Sequence, residues 1–358
     1  MNEAQLSARQ TSAADIRRAG RLSVYELFAA QVSRYPEAVA IEAGAVRHSY
    51  GALNARVERL AAALAAKGVR YGDRVAVLSE NRAEYIEVEL AAAYLGAIVA
   101  CQNWRLAATE LQHCLDLVSP ALVIASRRFA KALSALDLRG VESFIFEDGY
   151  EALVQGARPL AERPEVDPED GLVILYTSGT TGMPKGALIS HRAEIARMAL
   201  LRMDIRSTEK DGFLAWAPMF HMGSTDQMLG ALMSGATVYV VDGFDAEAIV
   251  DIMERARLGW LLLMPGSIEP VVGLLKKRGR KPKEVAGPVP VAPAPQKHEA
   301  KQPAKPEIAD VKAPAKVAPK PAVKTAAKPA AKAPAKPAKK SAPAKKSAKP
   351  VKKAAKKK

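Results

Sequence analysis

Cysteine is scarce in this chain of 358 residues, in which Cys101 and Cys114 are the only two. They leave a single disulfide open, but in a long, charged chain they fit a reducing compartment better than a disulfide scaffold. Long apolar runs are also lacking. The longest, from Leu90 to Cys101, is about half of a membrane span, and the first residues lack the apolar core of a signal peptide. These absences predict a cytoplasmic protein with no membrane span.

Aromatic residues, leucine and methionine are missing from residues 285–358. Residues 276–358 carry 26 of the 53 Lys+Arg and only 4 of the 38 Asp+Glu, so the rest of the chain is acidic. Repeats of alanine, proline and lysine cannot bury enough apolar surface to offset the cost of chain ordering. We predict a flexible N-terminus (residues 1–20), a folded domain (21–283) and a disordered basic tail (284–358).

From residue 24 to 275, helical and strand patterns alternate. Apolar spacing and stop signals predict six helices, at Val24–Tyr35, Tyr50–Lys67, Ala83–Leu95, Thr109–Val118, Ser224–Met233 and Ala246–Arg257. Short apolar runs predict strands at Arg74–Leu78, Ala97–Ala100, Ala121–Ile124, Ser143–Phe146, Leu172–Leu175, Ala187–Ile189, Phe213–Ala217, Thr237–Val241 and Trp260–Met264. This alternation predicts an α/β fold of mostly parallel sheets with flanking helices, in which ligands bind at the carboxyl ends of strands.

The most informative stretch is the loop between two of these predicted strands, which reads Tyr-Thr-Ser-Gly-Thr-Thr-Gly-Met-Pro-Lys-Gly over residues 176–186. Glycines let backbone N–H groups approach anionic oxygens, hydroxyls add neutral donors, and lysine adds a positive charge. It is not a Walker loop, because Gly179 and Gly182 are too close together and glycine follows Lys185. The plain alternative is a turn with an incidental lysine. The candidate phosphate ligands are Thr177, Ser178, Gly179, Thr180, Thr181, Gly182 and Lys185.

This stretch resembles the phosphate-binding signature of the adenylate-forming (AMP-binding) superfamily, which includes acyl-CoA synthetases. Weaker matches in the same order extend the resemblance over about residues 20–283, at His48–Asn54, Gly72–Val77, Gly96–Val99, Asn103–Leu106 and Pro218–Met222. The resemblance implies the N-terminal region of an ATP-dependent, AMP-forming carboxylic acid–CoA ligase, with an incomplete large domain. In that reaction a carboxylate attacks the ATP α-phosphate, and a thiol then displaces AMP. The implied ligands are ATP, Mg²⁺, coenzyme A and a fatty or aromatic acid.

The resemblance also assigns roles to residues. The loop residues 177–182 and Lys185 would hold the β- and γ-phosphates, and Lys185 and His221 are the candidate catalytic residues. Phe220 and His221 would lie near the carboxylate or the acyl chain. The alternatives are that Lys185 is merely solvated and that His221 is a satisfied, partly buried side chain. An acyl tunnel or a plain core would equally explain a further apolar set, Trp216, Met219, Met222 and Met228.

Several family motifs have no counterpart in the sequence. They are an adenine loop of the form Tyr-Gly-x-Thr-Glu, a later Thr-Gly-Asp segment and a lysine of a small C-terminal domain. Because each lost charge-stabilising group costs about 10²–10³ in rate, we expect little or no complete ligase activity. We also expect exposed apolar surface where late strands would otherwise pack.

The basic tail resembles linker-histone tails, and a flexible polycation binds phosphates through counterion release. An alternative function is therefore non-specific binding of DNA or RNA through residues 276–358, with nucleoid association. The run Arg278–Pro282 resembles an AT-hook core, or it is simply the basic end of an enzyme helix. A frameshift product or a fusion of unrelated segments would also explain the tail.

Overall fold

The computed structural model describes residues 21–177 and 182–279. The chain divides into two units, Met1–Val289 and Pro290–Lys358, and every described residue belongs to the first. The predicted flexible N-terminus and the predicted disordered tail therefore lie outside the described residues.

The described part is built from alternating helices and strands. The helices are α1 Val24–Arg34, α2 Tyr50–Ala66, α3 Ala83–Leu95, α4 Ala108–Val118, α5 Ala130–Ser134, α6 Tyr150–Gly156, α7 His191–Ile205, α8 Met222–Met233, α9 Ala246–Arg255 and α10 Ile268–Lys277. The strands are β1 Val39–Ala43, β2 Val46–Ser49, β3 Arg74–Leu78, β4 Ile98–Cys101, β5 Leu122–Ala125, β6 Ser143–Ile145, β7 Gly171–Thr177, β8 Lys185–Ser190, β9 Phe213–Ala215 and β10 Val238–Val240.

The strands form two sheets. Sheet A has the order β2-β1-β10-β9, and sheet B has the order β6-β5-β3-β4-β7-β8. The β1–β2 and β7–β8 pairs are antiparallel and lie at one edge of their sheets, and the other pairs are parallel. Helical crossovers connect the parallel strands, as parallel pairing requires. The predicted α/β class with mostly parallel sheets is confirmed.

Helix α3 lies between the two sheets. It packs against β1 of sheet A and against β4 and β7 of sheet B, and every residue of it except Glu84 is buried. The helix ends at Gly96, which has a φ of 70°. A Cβ atom there would lie 2.6 Å from Cδ2 of Tyr71, so both the backbone conformation and the space require glycine.

The predicted strand at Trp260–Met264 is wrong. The chain makes one isolated parallel bridge beside the β9 edge, between Gly212 and Leu258, just before this stretch, and no ladder continues through residues 260–264. Side-chain hydrogen bonds hold residues 260–264 against the rest of the domain instead. Trp216 Nε1 donates a hydrogen bond of 2.6 Å to the Leu262 carbonyl. A second indole, Trp260 Nε1, donates to Gln227 Oε1 at 3.1 Å. The sequence pattern shows a run that is apolar, but it does not show whether the neighbouring edge pairs with it.

Other elements differ from prediction in extent or went unpredicted. The β1–β2 hairpin has only a short apolar pattern, and α7 has a weakly segregated one, so neither was expected. The strand predicted at Ala187–Ile189 is the longer β8, and it is not buried: Leu188 is 58% exposed. On α7, Leu200 and Met203 are 63% and 72% exposed. The expected exposed apolar surface is therefore present at the β8 edge and on α7.

The remaining sequence expectations concern the chain end, the membrane and the cysteines. Arg278 follows α10 and forms ion pairs with Asp251 and Glu254 of α9 at 2.5 and 3.2 Å, so the first basic residue of the proposed AT-hook run is held by the folded domain. Residues 280–282 of that run lie outside the described residues. Within residues 21–177 and 182–279, no helix is long and apolar enough to cross a membrane. Cys101 and Cys114 are buried and free.

Candidate functional site

The β7–β8 hairpin brings the two ends of the phosphate-loop candidate together. In the antiparallel register Thr177 pairs with Lys185, and Tyr176 pairs with Gly186. Gly182 has a φ of 90°, in the left-handed region that favours glycine. Thr177, Gly182 and Lys185 are thus placed at one sheet end, whereas Ser178, Gly179, Thr180 and Thr181 lie outside the described residues.

Lys185 offers a solvent-accessible cation at this end of the hairpin. Its side chain is exposed, and it forms no ion pair or hydrogen bond with the rest of the described chain. The preceding residue is fixed, because the Pro184 carbonyl lies 3.1 Å from Nε2 of His113 on α4. A free ammonium group on an anchored strand can bind an anion without first breaking an internal ion pair.

The base of the hairpin is held by Tyr176. Its hydroxyl donates to the Cys114 carbonyl at 3.0 Å and accepts from Gln102 Nε2 at 3.0 Å. Burial raises the pKa of the Tyr176 hydroxyl above its ordinary value, so the phenol stays neutral. At Gly186 a Cβ atom would lie 3.1 Å from Ile174 Cγ2, so a side chain there would push against the neighbouring strand. The hairpin is therefore supported from α4 and from β4.

Asn81 organises a second part of the site, and sequence reasoning missed it. Its buried amide nitrogen donates to the carbonyls of Ala217 and Val241 at 2.8 and 3.0 Å, and its Oδ1 accepts from the Met219 N–H at 2.8 Å. These bonds fix the segment that precedes His221 against the ends of sheet A. The available signal was a polar residue three positions after the buried strand β3.

His221 caps helix α8. Its Nδ1 accepts a hydrogen bond of 3.3 Å from the Gly223 N–H, and its Nε2 has no partner among the described residues. The side chain is exposed, so the alternative of a satisfied, partly buried histidine does not hold. The apolar residues near it are mostly plain core, since Trp216, Met219 and Met228 are buried within the hydrophobic clusters.

An aromatic and basic surface joins the His221 segment to sheet B. The Phe220 ring packs edge-on against Trp104 at 5.6 Å, and Trp104 stacks on Phe129 at 5.5 Å. The Arg105 guanidinium lies 5.0 Å from the Trp104 ring centroid and 5.9 Å from that of Phe220. Arg128 lies 5.7 Å from the same indole. Because Trp104 follows β4, whose neighbour is β7, this surface lies at the same end of sheet B as the hairpin.

No metal centre is formed by the side chains within residues 21–177 and 182–279, where no group of three His, Cys, Asp or Glu could hold an ion. At the described ends of the hairpin, Thr177 offers a hydroxyl group and Lys185 offers an ammonium group. The hydroxyl is an oxygen of the kind Mg²⁺ accepts, whereas the ammonium suits phosphate oxygens and not a cation.

The chain matches the profile of the AMP-binding enzyme family over residues 28–341. It is 37% identical over 235 residues to indoleacetate–CoA ligase of Aromatoleum aromaticum, covering 63% of this chain and 46% of that protein. It is 32% identical over 233 residues to feruloyl-CoA synthase of an Amycolatopsis species, covering 64% and 46%. A crystal structure from Rhodopseudomonas palustris, assigned as a long-chain-fatty-acid CoA ligase, superposes with a TM-score of 0.66 at 28% identity, covering 71% of this chain and 66% of that one.

The two-sheet fold and the hairpin thus define an adenylate-forming type of protein. The chain belongs to the AMP-binding enzyme family, as the sequence resemblance implied. It spans about half the length of the curated relatives it matches. The nucleic-acid alternative rests on residues 276–358, of which only 276–279 are described, and none of these relatives supports it.

Proposed function

We propose that this chain carries the phosphate-binding part of an ATP-dependent, AMP-forming carboxylic acid–CoA ligase. The observation that supports it most is the hairpin register, which sets Thr177 opposite Lys185, whose ammonium group has no partner among the described residues. In this proposal the loop residues 177–182 and Lys185 bind the β- and γ-phosphates of ATP. The thiol acceptor is coenzyme A, and Mg²⁺ neutralises the phosphates when it is bound.

His221 and Phe220 lie on the acyl side of the proposed site. The exposed Nε2 of His221 is free to donate or accept a hydrogen bond with a carboxylate oxygen. The acid is fatty or aromatic, since the relatives named above act on one or the other. His221 is held by the α8 N-terminus and, through Met219, by Asn81, so its position does not depend on the substrate.

Coenzyme A is an anionic nucleotide, and the surface formed by the partly exposed rings of Trp104 and Phe129 with the exposed Arg105 suits such a ligand. Arg105 forms no ion pair in the described part of the chain, whereas Arg128 is already paired with Asp242 at 2.7 Å. Aromatic faces accept a base by stacking, and a free guanidinium binds phosphate. We place the nucleotide part of coenzyme A on this surface.

The phosphate assignment is tested by comparing ligands that differ in phosphate content. Isothermal titration of the full chain with ATP, inorganic tripolyphosphate and AMP should show binding of the first two and much weaker binding of AMP. Equal affinity for AMP and ATP, or no binding of tripolyphosphate, would show that the hairpin is not the binding element.

Complete catalysis is a separate question, because the sequence carries no recognisable adenine loop of the form Tyr-Gly-x-Thr-Glu. We propose that the 358-residue chain binds ATP phosphates without completing adenylation. Pyrophosphate exchange into ATP with indoleacetate or a fatty acid should stay at background. Exchange above background would show that other residues of this chain complete the active site.

A further inference from the structure

Three carboxyl groups are buried together behind the candidate site. Glu89 of α3, Glu194 of α7 and Asp226 of α8 are 1%, 1% and 0% exposed. The cation in contact with them is Arg197, whose Nε forms an ion pair with Asp226 Oδ2 and whose own side chain is 57% exposed. Burying three negative charges against one half-solvated cation would cost several kcal/mol per uncompensated ion, which a folded domain cannot sustain.

The contacts that the three carboxyl groups make require at least some of these groups to be protonated. The Glu194 and Asp226 side chains lie within hydrogen-bonding reach of each other, and two carboxylates, which only accept, cannot form that bond unless one is protonated. Glu89 reaches Thr225, whose hydroxyl hydrogen is donated to the Met219 carbonyl. Thr225 is therefore available as an acceptor for a protonated Glu89.

The carboxyl oxygens of the cluster also lack hydrogen-bond donors. Apart from the Arg197 contact, five of them meet no hydrogen-bond donor in the described chain, namely Glu89 Oε2, both oxygens of Glu194 and both of Asp226. The sixth, Glu89 Oε1, has only the weak Cys101 thiol donor at 3.7 Å. Buried oxygens without donors are rare in folded proteins unless a proton makes them donors to each other.

The electrostatic surroundings favour the neutral acids. Burial, and then the neighbouring Asp226, raise the pKa of Glu194 well above its ordinary value, and Glu89 adds to the effect. Burial likewise raises the pKa of Glu89. Burial raises the pKa of Asp226, but Arg197, and more weakly His221, oppose that rise.

Cys101 and Tyr85, two further titratable groups beside Glu89, add no compensating charge. The pKa of the Cys101 thiol is raised well above its ordinary value, first by burial and then by Glu89. The pKa of the Tyr85 hydroxyl is also raised by burial. Both groups are therefore neutral near pH 7.

We propose that Glu89 and Glu194 are neutral acids at neutral pH, that Asp226 is the ionised member beside Arg197, and that the hydrogen between Glu194 and Asp226 ties α7 to α8. Helix α7 directly follows β8, which begins at Lys185, and α8 begins directly after His221. The hydrogen bond between Glu194 and Asp226 therefore holds the helix that follows Lys185 and β8 against the helix that follows His221. The assignment of Lys185 and His221 to one site rests on the proposed function. The proton-sharing cluster itself does not depend on that function.

The contribution of the carboxyl cluster to stability should depend on pH in a defined direction. An unfolded glutamic acid ionises near 4.5, whereas the folded cluster retains its protons to higher pH. The contribution of the cluster to stability is therefore complete below the unfolded value and is lost as the pH rises towards the folded pKa. Above that pH two adjacent buried negative charges repel each other, and α7 separates from α8.

The most direct test is infrared spectroscopy of the full wild-type chain labelled with ¹³C-carboxyl glutamate. A carbonyl band of protonated glutamic acid should be present at pH 7, should shift with the label and should lose intensity in Glu194→Gln. Absence of a label-sensitive acid band in the wild-type chain at pH 7 would overturn the proposal. This measurement needs no variant, so it remains decisive if Glu194→Gln does not fold.

Urea denaturation provides the second test. As the pH rises above 4.5, the midpoint of wild type should change less favourably than that of Glu194→Gln, because only the wild type carries the titrating Glu194, and the exposed Glu37→Gln should follow the wild type. An identical pH dependence in Glu194→Gln and wild type would contradict the tie. Both tests are independent of ATP, so a chain that bound no nucleotide would refute the proposed function and leave this inference standing.

Discussion

At the scale of single residues, the candidate site contains two residues that the sequence predicted, Lys185 and Thr177, and one that it did not, Asn81. Lys185 and Thr177 lie in a stretch whose composition already indicates phosphate binding, and the β7–β8 register brings them together. Asn81 lies more than 100 positions away from the segment it holds. Its role depends on carbonyls that converge only after both sheets have formed, so no local pattern predicts it.

Asn81 also allows a quantitative prediction. Replacing it with alanine leaves the buried Met219 N–H and the partly buried Val241 carbonyl without their side-chain partner, whereas the Ala217 carbonyl keeps the Ser224 hydroxyl as a donor. Each unsatisfied buried group costs about 1–3 kcal/mol, so we expect Asn81→Ala to lower the free energy of unfolding by at least about 2 kcal/mol. Urea denaturation measures this change. Gln155→Ala, at an exposed position, should change the same quantity by less than about 0.5 kcal/mol.

At the scale of elements, prediction succeeded where local patterns decide the structure. Helices α2 and α3 appear within one residue of their expected bounds, because apolar spacing is clear and Gly68 and Gly96 end them. The strand expected at Trp260–Met264 failed, because pairing depends on the β9 edge and not on the run itself. The two strands that flank the loop were predicted, but their antiparallel pairing and the exposure of the outer strand were not, since both are properties of the assembled sheet.

The hairpin provides a test with a matched control. Gly182 and Gly44 both have a positive φ, of 90° and 59°, and at both positions an added Cβ would meet no atom of the described residues within 4 Å. Each glycine-to-alanine change should therefore cost about 1–2 kcal/mol of backbone strain without a clash. Only Gly182→Ala should also weaken ATP binding in isothermal titration. Equal loss of ATP affinity in Gly44→Ala would mean that the effect is general destabilisation.

At the scale of the whole molecule, a folded, acidic region is joined to a basic segment that lies outside the described residues. The described region reaches only about half the length of the relatives, and apolar side chains such as Leu200 and Met203 remain exposed on it. The sequence revealed this division through composition alone, since charge and apolar content change together near residue 283. It could not reveal the buried carboxyl cluster, because Glu89, Glu194 and Asp226 are brought together only by the packing of three helices.

Global stability should also depend on His191 at acid pH. This buried histidine accepts a hydrogen bond from the Val24 N–H at 3.2 Å and so links α7 to the start of α1. Burial lowers the pKa of His191 from 6.5 to about 4. The unfolded chain therefore binds a proton first, and the contribution of His191 is complete above about pH 6.5 and is lost as the pH falls towards 4.

The measurement is the free energy of unfolding of wild type and His191→Asn between pH 7 and pH 4. Asparagine keeps an acceptor for Val24 but does not titrate, so the variant should lack about 3 kcal/mol of the wild-type decline. The variant is expected to be less stable at every pH, because it is smaller. An unchanged decline in the variant would show that His191 does not titrate on unfolding.

The central claim is that the hairpin binds the phosphates of ATP through Lys185, and the affinity of the full chain for ATP tests it most directly. The control is Lys210→Ala, which removes an exposed lysine in the loop before β9. A charge-assisted hydrogen bond contributes about 1.5–3 kcal/mol, so Lys185→Ala should raise the Kd for ATP about 10- to 150-fold while Lys210→Ala leaves it unchanged. Equal affinity in wild type and Lys185→Ala would contradict the account.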